Sequence, residues 1–114
     1  MKDMFIDLAK YRIQRAFENK GDAEILLKSN KISDSVNRIY QANFYAVKSL
    51  LATRMKDSPK HQAVLQLFQE NFVLTGEVSK EYWLIVDRSY RSREEGERRE
   101  QRQATSQDAR SLLA

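Results

Sequence analysis

Ser33-Asp34-Ser35-Val36-Asn37-Arg38-Ile39-Tyr40-Gln41-Ala42-Asn43-Phe44-Tyr45-Ala46-Val47-Lys48-Ser49-Leu50-Leu51 is the stretch that decides the fold. Val36, Ile39, Tyr40, Asn43, Phe44, Val47, Leu50 and Leu51 recur at steps of three and four, which puts them on one stripe of an α-helix. Ser33 stands before the stripe as its predicted N-cap. A helix so apolar along one face needs partners on that face, so it is expected to be the central helix of a bundle.

The flanking segments supply the partners. From Lys2 to Ser29, the residues Phe5, Leu8, Tyr11 or Arg12, Ala16, Phe17, Ala23, Leu26 and Leu27 keep helical spacing. Gly21-Asp22 interrupts this segment, and a glycine inside a helix costs about 1 kcal/mol relative to alanine. The pattern resumes beyond it, which predicts one long or slightly broken helix, turning at Asn30-Lys31. Ser58-Pro59 is expected to open a third helix, with proline where a missing N–H matters least. Val64, Leu65, Phe68 and Phe72 form its buried face, and Leu74-Thr75-Gly76 ends it. The fourth helix is predicted from near Ser79, with Glu81 favouring its positive end and Tyr82, Trp83, Ile85, Val86 and Tyr90 buried. Strand-like alternation is nowhere sustained. The fold class is therefore all-α, a four-helix up-and-down bundle with a charged C-terminal helical extension.

Between Arg91 and Ser111 there is no Val, Ile, Leu, Met or aromatic residue, and arginine alternates with glutamate and glutamine. Nothing there can enter a core. The expected division is a bundle over residues 1–97 and a charged helical extension or disordered tail over 98–114. A length of 114 residues suits one core. No apolar run approaches the roughly 20 residues a membrane helix needs, and the N-terminus lacks the pattern of a signal peptide. A cytoplasmic protein with no membrane association is the simplest expectation. The net charge of +4 comes from interspersed signs, 20 basic and 16 acidic residues, so it points only weakly to nucleic acid.

Much chemistry is excluded. The chain has no cysteine and one histidine, so thiol catalysis and a zinc site built on paired histidines or thiolates fall away. Gly21, Gly76 and Gly96 are isolated, which leaves no phosphate-binding glycine loop. No cofactor or metal is expected. His61 reads as a surface histidine near a helix start making a local hydrogen bond, and nothing in the sequence brings it near another functional residue. Tyr40 and Phe44 read as core, while Tyr45, one step off the stripe, could reach a subunit interface.

Four segments in order resemble the HEPN family (higher eukaryotes and prokaryotes nucleotide-binding). The run from Asp34 to Ala46 resembles the pattern A-V-N-R-A-Y-Y-A-x-F-H-A, and Ala23-Glu24-Ile25-Leu26-Leu27 resembles the A-x-x-L-L that precedes it. Lys60-His61-Gln62-Ala63-Val64, with Leu67-Phe68 and Phe72-Val73-Leu74-Thr75-Gly76, is similar to H-K-G-V-x-x-x-F-x-x-x-F-V-x-T-G. A last helix with arginines near its end completes the set. The resemblance spans roughly residues 7–97.

The resemblance implies a bundle of four or five helices that commonly dimerises, often beside a small nucleotidyltransferase partner in toxin–antitoxin pairs. It also implies, for active members, a metal-independent ribonuclease. There an arginine stabilises the scissile phosphate and a histidine four to six residues further on moves protons, the two copies forming one composite site. Arg88, Arg91 and Arg93 are the arginines available. The positions where histidine should follow them hold Arg93, Glu94, Glu95, Gly96, Glu97, Arg98, Arg99 and Glu100. Loss of the proton-transfer group costs about 10² to 10⁴ in rate. The expected function is a dimeric RNA- or nucleotide-binding module with a degenerate ribonuclease motif, whose binding set is Arg88, Arg91, Arg93 and Asn37. An active ribonuclease, with Arg93, Arg91 and Glu97 as its catalytic residues, and a helical protein–protein interaction module are the alternatives.

Overall fold

In the computed structural model the backbone is described for residues 2–113 and the side chains for 3–96 and 98. Four α-helices follow one another: α1 (Lys2–Lys28), α2 (Ile32–Thr53), α3 (His61–Phe68) and α4 (Lys80–Leu113). No strand occurs among the described residues, and the all-α fold expected from the sequence is observed.

The α2 stripe is the centre. Tyr40, Phe44, Val47 and Leu51 pack with Val64, Leu65 and Phe68 of α3, Phe72 beyond it and Val86 of α4. All nine are buried, and this cluster is the hydrophobic core on which stability rests. The chain leaves α3 through one π-helical turn, Gln69–Val73, in which Leu74 N–H donates to the Gln69 carbonyl at 2.8 Å. That turn carries Phe72 into the core. Gly76 then reverses the chain at φ +80°, a conformation that only glycine adopts without strain. Arg54, at the end of α2, clips this corner by donating to the Asn71 carbonyl and to Glu77 while lying 4.1 Å over the Phe72 ring.

α1 joins α2 along a different seam. Ala9, Ala16 and Ala23, seven residues apart, are buried there with Arg12 and Asn19 between them. Small side chains let the two backbones approach closely enough for serine hydroxyls to cross. Ser35 donates to the Ala23 carbonyl and Ser49 to the Ala9 carbonyl, both at 2.8 Å. Arg12 reaches the Lys48 carbonyl at 3.2 Å and Asp57 at 3.0 Å. Asn19 donates to the Arg15 carbonyl at 2.8 Å and accepts from Arg38 at 3.3 Å. The four buried polar residues of this seam, Arg12, Asn19, Ser35 and Ser49, are each hydrogen-bonded, as burial demands.

α1 passes Gly21 without a break, the unbroken one of the two expected forms. Several other local expectations are corrected. The inward face of α1 is the alanine stripe, so Phe17 (66% exposed) and Leu27 (59% exposed) stand outside the core. The N-cap of α2 is Lys31, one residue before Ile32, so Ser33 lies inside the first turn. Likewise α3 begins at His61 after Lys60; Ser58 instead accepts the Lys60 N–H at 3.2 Å, an ST-turn that precedes the helix. Ile85 is 53% exposed, because α4 turns Val86 rather than Ile85 toward the core. At its far end α4 runs on as one helix through the charged stretch, for 34 residues in all.

Candidate nucleic-acid site

α4 crosses the start of α2, and the crossing builds the site. Arg93 donates from Nε to the Asn37 side-chain oxygen at 3.2 Å. Its guanidinium lies 4.5 Å from the centroid of the Tyr40 ring, a cation–π contact. Asn37 and Tyr40 are one helical turn apart on α2, so one arginine can reach both. The pair Asn37–Arg93, distant by 56 residues in sequence, is thus assembled by the fold.

The same face of α2 brings in an unexpected residue. The Tyr40 hydroxyl is hydrogen-bonded to Nδ1 of His61, and Nε2 lies further off at 3.4 Å. The two rings are nearly parallel, 8° apart, with centroids at 5.6 Å. Phe44, at 4.8 Å, and Tyr90, at 6.0 Å, complete an aromatic wall around the imidazole. Tyr40 is wholly buried while His61 is exposed, so the hydroxyl holds the ring from inside and leaves it open to solvent. The sequence reading of His61 as an isolated residue with a local hydrogen bond is corrected: its partner is 21 residues away. The signal was present in the resemblance, which placed His61 and Tyr40 in two of the matched segments, but their contact depends on how α3 folds back.

Beside Arg93 an open groove of about 740 Å³ is lined by Asp34, Asn37, Arg91, Arg93 and Glu95, together with Ile32 and Val36. Arg91 borders it but is 75% exposed and pairs with Asp87 at 3.1 Å. Arg88 lies elsewhere. It is exposed and does not line the groove; at 100° per residue Arg88 and Arg91 point about 140° and 160° around the helix from Arg93. The three arginines therefore do not present one face, and Asn37 with Arg93 forms the ordered core of the set. The side chain of Glu97 lies outside the described residues. Hydrogen bonding to Glu94, then burial, raises the Tyr90 phenol above its ordinary pKa. Among the described residues no cluster of His, Asp or Glu could hold a metal ion, and no helix is long and apolar enough to cross a membrane.

The family model of the HEPN domain matches residues 9–114. A "UPF0332 protein" of Thermotoga maritima is 39% identical over 90 residues, covering 79% of this chain and 68% of its own length. The "Putative toxin MJ0605" of Methanocaldococcus jannaschii is 36% identical over 81 residues, 71% of this chain and 60% of its own. A second protein of that organism, "Putative toxin MJ0142", is 33% identical over 82 residues, 72% of this chain and 56% of its own. The match thus spans little more than half of the two Methanocaldococcus proteins. No solved structure matches the chain. The helical order, the α2 motif and the match over nearly the whole length together make the chain a member of the HEPN domain family.

Proposed function

We propose that this HEPN protein binds RNA, or a nucleotide, through its phosphates at the Arg93–Asn37 site. The observation that carries the reading is the ordering of Arg93. A guanidinium held by Asn37 and the Tyr40 face loses less side-chain entropy on meeting a phosphate than a solvated one does, and its planar fork suits two phosphate oxygens. Arg91 on the same groove adds a second cation. The toxin names of two relatives agree with a role in a toxin–antitoxin system, in which a small nucleotidyltransferase is the proposed partner. Titration of labelled RNA at several salt concentrations tests the binding. Affinity falling steeply with salt, and weakened by Arg93→Ala, supports it; affinity indifferent to both rejects it and favours a helical interaction module.

One observation favours ribonuclease activity as a second reading. His61, fixed by Tyr40, lies on the far end of the ring that Arg93 covers. In that reading the imidazole takes the proton of a ribose 2′-hydroxyl, whose oxygen attacks phosphorus. The P–O5′ bond breaks, the 5′ oxygen is protonated by water, and a 2′,3′-cyclic phosphate remains. Arg93 stabilises the added negative charge. Incubation with RNA in the absence of metal separates the readings: cleavage abolished by both His61→Ala and Arg93→Ala selects the second, and intact RNA selects the first.

A further inference from the structure

A second groove, of about 400 Å³, runs between α3 and α4. On α4, Trp83, Asp87, Tyr90 and Glu94 recur at steps of four, three and four, so they share the face that walls it. Gln62, Gln66 and Gln69 stand opposite, along α3 and the first residue of the turn after it. Trp83 and Tyr90 are half-buried. The Trp83 indole N–H is closed off from water and donates to nothing among the described residues, and an orphaned buried donor is rare in a folded protein. Gln66 is engaged by Glu70 at 3.0 Å, whereas the amides of Gln62 and Gln69 have no hydrogen-bond partner among the described residues. Two aromatic rings beside unspent amides suit a planar ligand that stacks on the rings and hydrogen-bonds through its edge.

The charges say which part of a nucleotide enters. Asp87 and Glu94 bring negative charge to the groove and would repel a phosphate there, whereas a base is neutral. Asp87 is tied to Arg91 through one oxygen, at 3.1 Å, and Glu94 accepts from the Tyr90 hydroxyl. Each carboxylate keeps further lone pairs, able to accept from an exocyclic amino group as carboxylates do from cytosine, while a glutamine amide suits adenine. The groove also adjoins the phosphate site. Tyr90 precedes Arg93 by one helical turn, and its ring lies 6.0 Å from that of Tyr40, which carries the Arg93 guanidinium. Arg91 borders both grooves. A nucleotide whose phosphate meets Arg93 can therefore lay its base on Tyr90.

We propose that the α3–α4 groove is a nucleobase subsite that takes a base with an exocyclic amino group, adenine, cytosine or guanine, in preference to uracil. Trp83 and Tyr90 stack on the base, and Gln62 and Gln69 read its edge. This deepens the RNA-binding reading and rests on it for the place of the phosphate, while the groove itself can be tested without one.

Trp83 is the chain's one tryptophan, so its fluorescence reports on this groove. The full chain is titrated with adenosine, cytidine and uridine, none of which carries a phosphate. Adenosine and cytidine are expected to quench the fluorescence saturably, with uridine binding at least about fivefold more weakly. Gln62→Ala/Gln69→Ala should lower adenosine affinity about tenfold while leaving circular dichroism and the salt slope of RNA binding unchanged. Arg93→Ala should weaken RNA binding and leave adenosine affinity as it is. No saturable quenching by adenosine or cytidine, equal binding of uridine, or a glutamine double variant that binds adenosine like the wild type would each overturn the proposal. Quenching by an arginine-rich peptide and by no nucleoside would overturn it in favour of a protein ligand drawn by the two carboxylates. Salt-dependent RNA binding without nucleoside quenching removes the base subsite and leaves the phosphate site standing; the converse result keeps the subsite and removes the phosphate site. Should the double variant unfold, Gln62→Ala, at an exposed position, decides alone.

Discussion

The guanidinium of Arg93 and the ring of Tyr40 lie 4.5 Å apart, one near the surface at the end of the bundle and the other wholly buried in its core. That contact ties the candidate site to the core, so changes on either side of it have distinct and separable consequences.

Arg93→Ala is expected to weaken RNA binding by about tenfold and to lower the slope of log affinity against log salt by about 1, since one phosphate contact is lost. Arg93→Lys should keep much of the salt slope but not recover the affinity, because an ammonium lacks the planar fork and stacks less well on Tyr40. Filter binding at four or five salt concentrations measures both.

Tyr40→Phe removes only the hydroxyl that holds His61. The ring that Arg93 covers remains, so RNA affinity should stay close to wild type, while stability falls by about 0.5–1.5 kcal/mol for one hydrogen bond. Urea denaturation reads the stability. A large loss of RNA affinity would contradict the view that Tyr40 serves Arg93 through its ring.

Asp57 links α1 to the loop after α2. Burial by itself would raise its carboxyl pKa, but the hydrogen bond and charge of Arg12, the charge of Lys48 and the Ser58 N–H outweigh it and hold the pKa below the usual value. A depressed folded-state pKa stabilises the fold above the unfolded value, about 3.9, and the contribution is lost as pH falls through the folded value. Asp57→Asn should therefore cost about 0.5–1 kcal/mol at neutral pH, an amount reduced by solvent at this partly exposed pair. Denaturation at neutral pH and again near pH 2 should show the difference shrinking toward zero at the acid end.

Phe68→Ala empties a fully buried position against Phe72 and Tyr82 and should cost about 3–5 kcal/mol. Ile85→Ala, on the exposed side of α4, should change stability by no more than about 0.5 kcal/mol. Thermal denaturation of the two variants contrasts the faces of the bundle directly.

Helices were legible because helical periodicity is local: the α2 stripe from Val36 to Leu51 and the order of segments around it identify an all-α HEPN fold before any contact is known. Which apolar residues are inside was legible only in part. Tyr40, Phe44 and Val47 are buried as their spacing suggests, yet Phe17 and Leu27 fit α1 periodicity and are exposed. Periodicity shows that residues share a face, not which of two faces meets a neighbour. α1 has two such faces, and the alanine one packs on α2 because small side chains permit the closer approach.

For the candidate site the same limit applies more strongly. Sequence alone identified the residue types, with Arg93, Arg91 and Asn37 in recognisable segments, and it established that no histidine follows the arginines of α4. It grouped Arg88, Arg91 and Arg93 because they fall within about one and a half turns of one helix, whereas at 100° per residue Arg88 and Arg91 point about 140° and 160° around the helix from Arg93. Tertiary structure alone decided that Asn37 orders Arg93, that Tyr40 joins Arg93 to His61, and that a groove opens between α3 and α4. The reason is physical: those contacts join residues 21 to 56 positions apart, and their geometry is set by how α3 folds back and α4 crosses α2, which no local pattern of side chains encodes.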